Sequence, residues 1–136
     1  MKVADRNDPE QRIRGGARYL ARMLQRIPER VPEPDRTWLA LAAYNVGYGH
    51  LEDARILTQK NKGNFDRWVD VKESLPLLSQ NKWSKQTRYG YARGREPVRY
   101  VDNIRTYYDI LVWLTDQQPD DQLPPQPPPQ FDSPAL

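Results

Sequence analysis

The stretch Leu41-Ala42-Ala43-Tyr44-Asn45-Val46-Gly47-Tyr48-Gly49 decides the fold. Trp38 and Leu39 precede it, and with Leu41, Ala42 and Ala43 they crowd more than one helical stripe with apolar residues. A helix that is apolar on nearly all sides is a buried one, so this predicts a short central helix. Asp35 is its expected cap, and Gly47 and Gly49 are expected to end it. At its C-terminal end stand Tyr44 and Asn45, beside glycine backbone that a ligand can approach closely. A phenol and an amide offer hydrogen bonds, and a ring can lie on a sugar face. The plain alternative is a core tyrosine and a capping asparagine, and residue chemistry alone favours it.

Working outward, Asp8-Pro9-Glu10-Gln11 reads as a helix start, with Asp8 as cap and Pro9 in the first turn. Ile13, Ala17, Leu20, Leu24 and Ile27 then recur at helical spacing and predict one buried stripe. Arg14, Arg18, Arg22 and Arg26 form a ladder on another face, read as solvated or, less plainly, as a polyanion track. Gly15-Gly16 inside this helix costs about 1 kcal/mol per residue relative to alanine, which suggests close helix packing there. Pro28 ends the helix. A third helix is expected over residues 50–60, with Leu51, Ala54 and Leu57 inward. Lys62-Gly63-Asn64 breaks it, and Asn64 is expected to cap a fourth helix over residues 65–73, anchored by Trp68 and Val69. Residues 79–95 show no period. They carry Lys82, Lys85, Arg88, Arg93 and Arg95, no acid and three aromatics, and read as a long exposed loop. Pro97 opens a last helix whose expected buried stripe is Val101, Ile104, Tyr108, Leu111 and Leu114. No segment alternates with period two, so the body is all-α.

The chain has 136 residues, with 21 Lys+Arg against 18 Asp+Glu and a net charge of +3. Seven of its 13 prolines fall between Pro119 and Pro134, and from Asp116 onward there are four acids and no base. That leaves a basic body with 21 basic and 14 acidic residues, net +7. The expected division is a globular part, 1–117, and a disordered acidic proline-rich tail, 118–136, read as a solvated spacer. With no cysteine there is no disulfide, thiolate zinc site or cysteine nucleophile. A single histidine, His50, argues against a His-based metal site and a Ser-His-Asp triad, so no metal and no cofactor is expected. No run approaches the ~18 apolar residues of a membrane span, and the N-terminus has no apolar core of a signal peptide. The charge points to a polyanionic partner without choosing among nucleic acid, anionic lipid and cell-wall polymer.

Two motifs choose. Ala43-Tyr44-Asn45-Val46-Gly47 resembles the Ala-Tyr-Asn-x-Gly motif of the lysozyme-like lytic transglycosylases of the soluble-lytic type. Downstream, Glu96-Pro97-Val98-Arg99-Tyr100-Val101 resembles that family's Glu-x-x-x-Tyr-Val motif. Gly15-Gly16-Ala17-Arg18-Tyr19-Leu20, Leu75-Pro76-Leu77-Leu78-Ser79 and Tyr89-Gly90-Tyr91-Ala92-Arg93-Gly94 look like its membrane-bound members of type F. The resemblance implies a lysozyme-like helical domain. It also implies cleavage of the β-1,4 bond between N-acetylmuramic acid and N-acetylglucosamine in peptidoglycan, with a 1,6-anhydro product. Where ordinary glycosidases use two carboxylates, such enzymes use one Glu, helped by the sugar's own N-acetyl group. It places Tyr44 beside that Glu, with Ala43 and Asn45 lining the sugar site. Glu96 and Tyr100, one helical turn apart, would contact substrate. It implies a periplasmic, outer-membrane-associated protein.

The family's Glu-Ser and Gly-Leu-Met-Gln-like motifs do not occur upstream of Ala43 in this sequence, where the glutamates are Glu10, Glu29 and Glu33. Glu73-Ser74 is a Glu-Ser pair, but it follows Ala-Tyr-Asn instead of preceding it. The expectation is therefore the C-terminal part of a transglycosylase domain without its acid, nearly inactive alone. Exposed apolar surface would then favour self-association or a complementing N-terminal half. The alternatives are a peptidoglycan-binding module that does not cut, and a nucleic-acid binder using the basic aromatic loop. No nucleic-acid-binding signature accompanies that loop.

Overall fold

The computed structural model describes residues 8–116. The tail 118–136 lies outside them. Six helices follow in order: α1 Pro9–Arg26, α2 Asp35–Val46, α3 Tyr48–Lys60, α4 Trp68–Ser74, α5 Asn81–Ser84 and α6 Arg95–Asp116, with a 3-10 turn over Leu75–Ser79 between α4 and α5. The described residues contain no strand, and no helix among them is long and apolar enough to cross a membrane.

As the composition of α2 requires, it is the central element. Leu39, Ala40, Leu41, Ala42 and Ala43 are all buried, and α1, α3, α4 and α6 pack around it. Gly47 closes α2 and opens α3 in a single residue. Its N–H donates to the Ala43 carbonyl at 2.9 Å and its carbonyl accepts from Leu51 at 3.1 Å. Its φ of +100° is one that L side chains rarely adopt. Gly49 therefore lies within the first turn of α3 instead of ending α2.

The expected caps moved. Asp8 does cap α1, accepting from the Glu10 N–H at 3.0 Å. Asp35 instead caps a different helix, accepting from the Trp68 N–H at the start of α4 at 3.0 Å. Thr37 is served by Glu33, whose carboxylate accepts from the Thr37 hydroxyl at 2.6 Å. Asn64 accepts from the Asp66 N–H in a local turn at 3.0 Å, and α4 begins four residues later. There Trp68 and Val71 are buried, while Val69 is 49% exposed, because α4 starts in a different phase.

Two predicted stripes are only partly covered. Of the α1 stripe, Ile27 at the C-cap is buried and Leu20 and Leu24 are half-buried, but Ile13 is 72% exposed and Ala17 is exposed. On α6, Val101 is buried while Tyr108, Leu111 and Leu114 are 55–60% exposed. Each helix rests on α2 at one end and extends past it at the other.

The basic segment 79–95 is a strapped connection, not a free loop. The buried Asp53 carboxylate accepts from the Arg88 and Tyr89 N–H groups at 3.3 and 2.9 Å. The Ala92 N–H donates to the Leu78 carbonyl at 3.1 Å. A Cβ on Gly94 would fall 1.6 Å from the Leu75 carbonyl oxygen, so the backbones meet there directly.

Candidate functional site

The last turn of α2 sends the Tyr44 side chain between α1 and α6. The Tyr44 and Tyr100 rings lie 6.3 Å apart and nearly parallel, at 7°, and Tyr19 packs on Tyr44 at 5.3 Å, tilted by 59°. Gly16 lets the Tyr44 hydroxyl in, since a Cβ there would stand only 3.1 Å from it. Gly15 has nothing within 4 Å, so only one glycine of the pair serves close packing. The resulting cleft, about 360 Å³, is walled by Ile13, Gly16, Ala17 and Leu20 of α1, Leu41 and Tyr44 of α2 and Tyr100 of α6, with Arg12 at its edge. Burial, and secondarily Tyr44, push the Tyr100 phenol above its usual range. It therefore stays protonated at neutral pH and can donate a hydrogen bond.

A second cavity, of about 440 Å³, is lined by Tyr19, whose ring packs on Tyr44 of the first. Arg22, Met23 and Arg26 of α1 form one wall, Tyr48, Gly49 and His50 of α3 another, and Tyr89 closes it. The Arg26 guanidinium lies 3.8 Å from the centre of the Tyr48 ring, and the Tyr48 hydroxyl donates to the Arg26 carbonyl at 3.1 Å. Burial, then the Glu52 charge, raise the Tyr48 phenol above its usual range. Gly49 is small because Tyr89 needs the room: a Cβ there would sit 2.8 Å from that ring. His50 meets Tyr89 edge-on at 6.3 Å, and its Nδ1 is buried without a hydrogen-bond partner. Neither cavity has a carboxylate on its wall. No group of three His, Cys, Asp or Glu among the described residues could hold a metal.

The transglycosylase SLT domain family matches residues 1–67, which hold α1, the Ala-Tyr-Asn helix and α3. Membrane-bound lytic murein transglycosylase F of Alteromonas mediterranea is 65% identical over 115 residues, 85% of this chain and 25% of that protein. Its namesake from Hahella chejuensis is 62% identical over 121 residues, 89% of this chain and 24% of that protein. The one from Pseudomonas putida strain GB-1 is 56% identical over 123 residues, 90% and 25% of the two. Residues 1–67 are thus sequence of the transglycosylase SLT domain family, and most of the chain is similar to lytic murein transglycosylases. The chain spans about a quarter of the length of the curated relatives it matches.

The residues singled out by motif are placed unequally. Tyr44 and Tyr100, more than fifty residues apart in sequence, come together on the cleft. Ala43 is fully buried and offers a ligand no surface, because its small side chain sits within the core. Asn45 is exposed and is not on the cleft wall. Glu96 stands in the exposed first turn of α6, its carboxylate 3.8 Å from Arg93, and it too is off the wall. Glu73 is exposed on α4, which contributes to neither cavity. Sequence reasoning missed Tyr19 and the whole second cavity. Arg22 and Arg26 were visible as ladder residues, and Tyr89 as part of the basic aromatic segment. Only the contact of the end of α1 with Tyr48, and the closing position of Tyr89, show that they line one cavity.

Proposed function

We propose that residues 1–117 form the sugar-holding part of a peptidoglycan lytic transglycosylase domain, and that residues 118–136 are an accessory tail. The reaction is cleavage of the β-1,4 bond between N-acetylmuramic acid and N-acetylglucosamine with a 1,6-anhydromuramyl product. The observation that carries this reading is the Tyr44–Tyr100 pair. It unites the two spaced motifs of the family in one cleft floored by Leu41 and edged by a protonated phenol. Rings and apolar walls suit the faces of a pyranose, and the Tyr100 hydroxyl suits its polar edge. The working place of such a domain is the periplasm, at the outer membrane.

The catalytic Glu is supplied, on this reading, from outside residues 8–116. Support comes from the lack of any carboxylate on the cleft wall and from Glu73 and Glu96 pointing elsewhere. The exposed apolar residues Ile13, Tyr108, Leu111 and Leu114 support a covering segment or a second copy on the same side of α2. The same lack of a carboxylate favours a second reading, a module that binds glycan without cutting it.

Purified peptidoglycan tests both readings. The chain alone should bind it and release no 1,6-anhydromuropeptides above background, since a general acid contributes typically ~10²–10⁴-fold in rate. Robust release would sink the missing-acid reading, and Glu96→Gln and Glu73→Gln would then identify the carboxylate. Failure of Tyr44→Ala and Tyr100→Ala to weaken binding would sink the glycan cleft itself.

A further inference from the structure

The second cavity has chemistry of its own. Arg22 and Arg26 are four residues apart on α1, so both guanidinium groups face one wall. Neither has an ion pair among the described residues. By contrast, the guanidinium groups of Arg14, Arg30, Arg55 and Arg93 each pair with a nearby acid. The carboxylate that bears on the Tyr48 phenol, Glu52, is held by Arg55 at 2.8 Å. Two unmatched cations therefore share a cavity with three phenols and no acid. Planar guanidinium forks fit carboxylates in bidentate fashion. At about 440 Å³ the space falls within the ~300–1,000 Å³ range of small-ligand sites, too small for a long polymer.

The wall opposite adds to this. Helix α3 begins at the cavity with no side-chain cap on its first N–H groups, and helix starts carry partial positive charge. The unmet Nδ1 of His50 lies in that same turn. The geometry is also held firmly. Gly47 sets the turn between α2 and α3 with its φ of +100°, and Asp53 ties down the Tyr89 backbone.

Position then selects the ligand. Tyr19 lines this cavity and packs 5.3 Å from Tyr44 of the glycan cleft. A molecule filling both cavities is a sugar with an anionic branch reaching past one tyrosine. We propose that the Arg22–Arg26 cavity binds the carboxylate of an acidic peptide branch on the glycan, and so makes peptide-bearing strands the preferred ligand. This rests on the glycan reading of the Tyr44–Tyr100 cleft.

The test titrates the full chain calorimetrically with three probes. They are a peptide-free N-acetylglucosamine–N-acetylmuramic acid oligosaccharide, the same oligosaccharide carrying acidic peptide branches, and the branched form with its carboxylates amidated. The branched probe should bind at least about 10-fold tighter than the bare one, since each ~1.4 kcal/mol is tenfold. Amidation should remove that advantage. So should R22Q/R26Q, with bare-glycan affinity unchanged and the circular dichroism spectrum retained. R22Q alone, which leaves the Arg26–Tyr48 stack intact, should lose at least about 3-fold, and R22K/R26K should recover part of the advantage.

An advantage that survives R22Q/R26Q, or equal binding of bare and branched probes, overturns the proposal while leaving the glycan reading in place. Binding of a free acidic peptide that R22Q/R26Q abolishes, with no binding of bare glycan, upholds the carboxylate site and overturns the glycan reading. Displacement of the peptide by inorganic phosphate or by an oligonucleotide at equal concentration overturns the carboxylate assignment.

Discussion

The two sides of α2 obey different rules. On one side, α3, α4 and the turn over Leu75–Ser79 form a finished interior: Leu51, Ala54, Leu57, Trp68, Val71, Leu75 and Leu78 are buried at 0–2% exposure. Even its charges are matched. Arg55 donates to Glu52 at 2.8 Å, to Asp66 at 2.6 Å and to the Phe65 carbonyl at 2.8 Å, while Thr58 and Ser74 hydrogen-bond at 2.8 Å in the core. On the other side α1 and α6 flank open clefts, and residues of the same apolar type stand 55–72% exposed. A finished interior is where stability resides, and the unfinished side is where a ligand or covering segment can be received.

The sharpest way to break this comparison is to delete the same side chain on each side. Leu57→Ala, in the closed interior, should cost about 2–5 kcal/mol in urea unfolding. Leu111→Ala, on α6, should cost no more than about 0.5 kcal/mol. Similar losses at the two positions would mean that α6 is covered in solution, and sedimentation would then show the self-association responsible.

The charged network gives the next largest effect. The Asp66 carboxyl is held below its usual range, first by its hydrogen bond from Arg30 and then by that from Arg55. Asp66→Asn should cost about 1.5–3 kcal/mol at pH 7, the range for hydrogen bonds to charged groups. The sign of the pH dependence follows. A lowered folded-state value stabilises above the unfolded value of about 3.9, and that contribution is lost as pH falls through the lower folded value. The gap between wild type and variant should therefore be constant from pH 7 to 5 and close below about pH 4. A gap that does not narrow as pH falls below about 4 would count against the ion network as its source.

Asp53 links the two sides. Its buried carboxylate belongs to the closed interior, yet it holds Tyr89 over the second cavity. Asp53→Asn keeps an acceptor for one of its two backbone donors and should cost about 1–2 kcal/mol. Hydrogen exchange at Arg88 and Tyr89 should accelerate by more than the global loss explains. Uniform acceleration across the chain would make Asp53 an ordinary core residue.

The same contrast explains what the sequence disclosed. The all-α class, the central Leu39–Ala43 helix, the Asp8 cap and the break at residues 62–64 were legible, because local composition determines them. The caps of α2 and α4 were not, since Asp35 serves a helix more than thirty residues away. Periodicity marked Ile13, Tyr108, Leu111 and Leu114 as residues that want a partner, but periodicity does not say whether the partner is present. At the site, two separate motifs supplied Tyr44 and Tyr100, and the structure places both rings on one cleft. Glu96 was grouped with Tyr100 by helical spacing, yet the first turn of α6 projects it towards Arg93 and solvent.

The smallest expected effect compares neighbours on the open side. Gly15→Ala meets nothing within 4 Å and removes a mid-helix glycine, so it should stabilise by about 0.5–1 kcal/mol. Gly16→Ala gains the same propensity but places its Cβ 3.1 Å from the Tyr44 hydroxyl. That ring must move by a few tenths of an ångström against Tyr19 and Tyr100, so the net stability change should be near zero and the cost should appear in glycan affinity. If Gly16→Ala stabilises as much as Gly15→Ala and binds glycan as well as wild type, Tyr44 is free to move. The cleft would then owe its shape to the ligand, not to the close approach of α1 and α2.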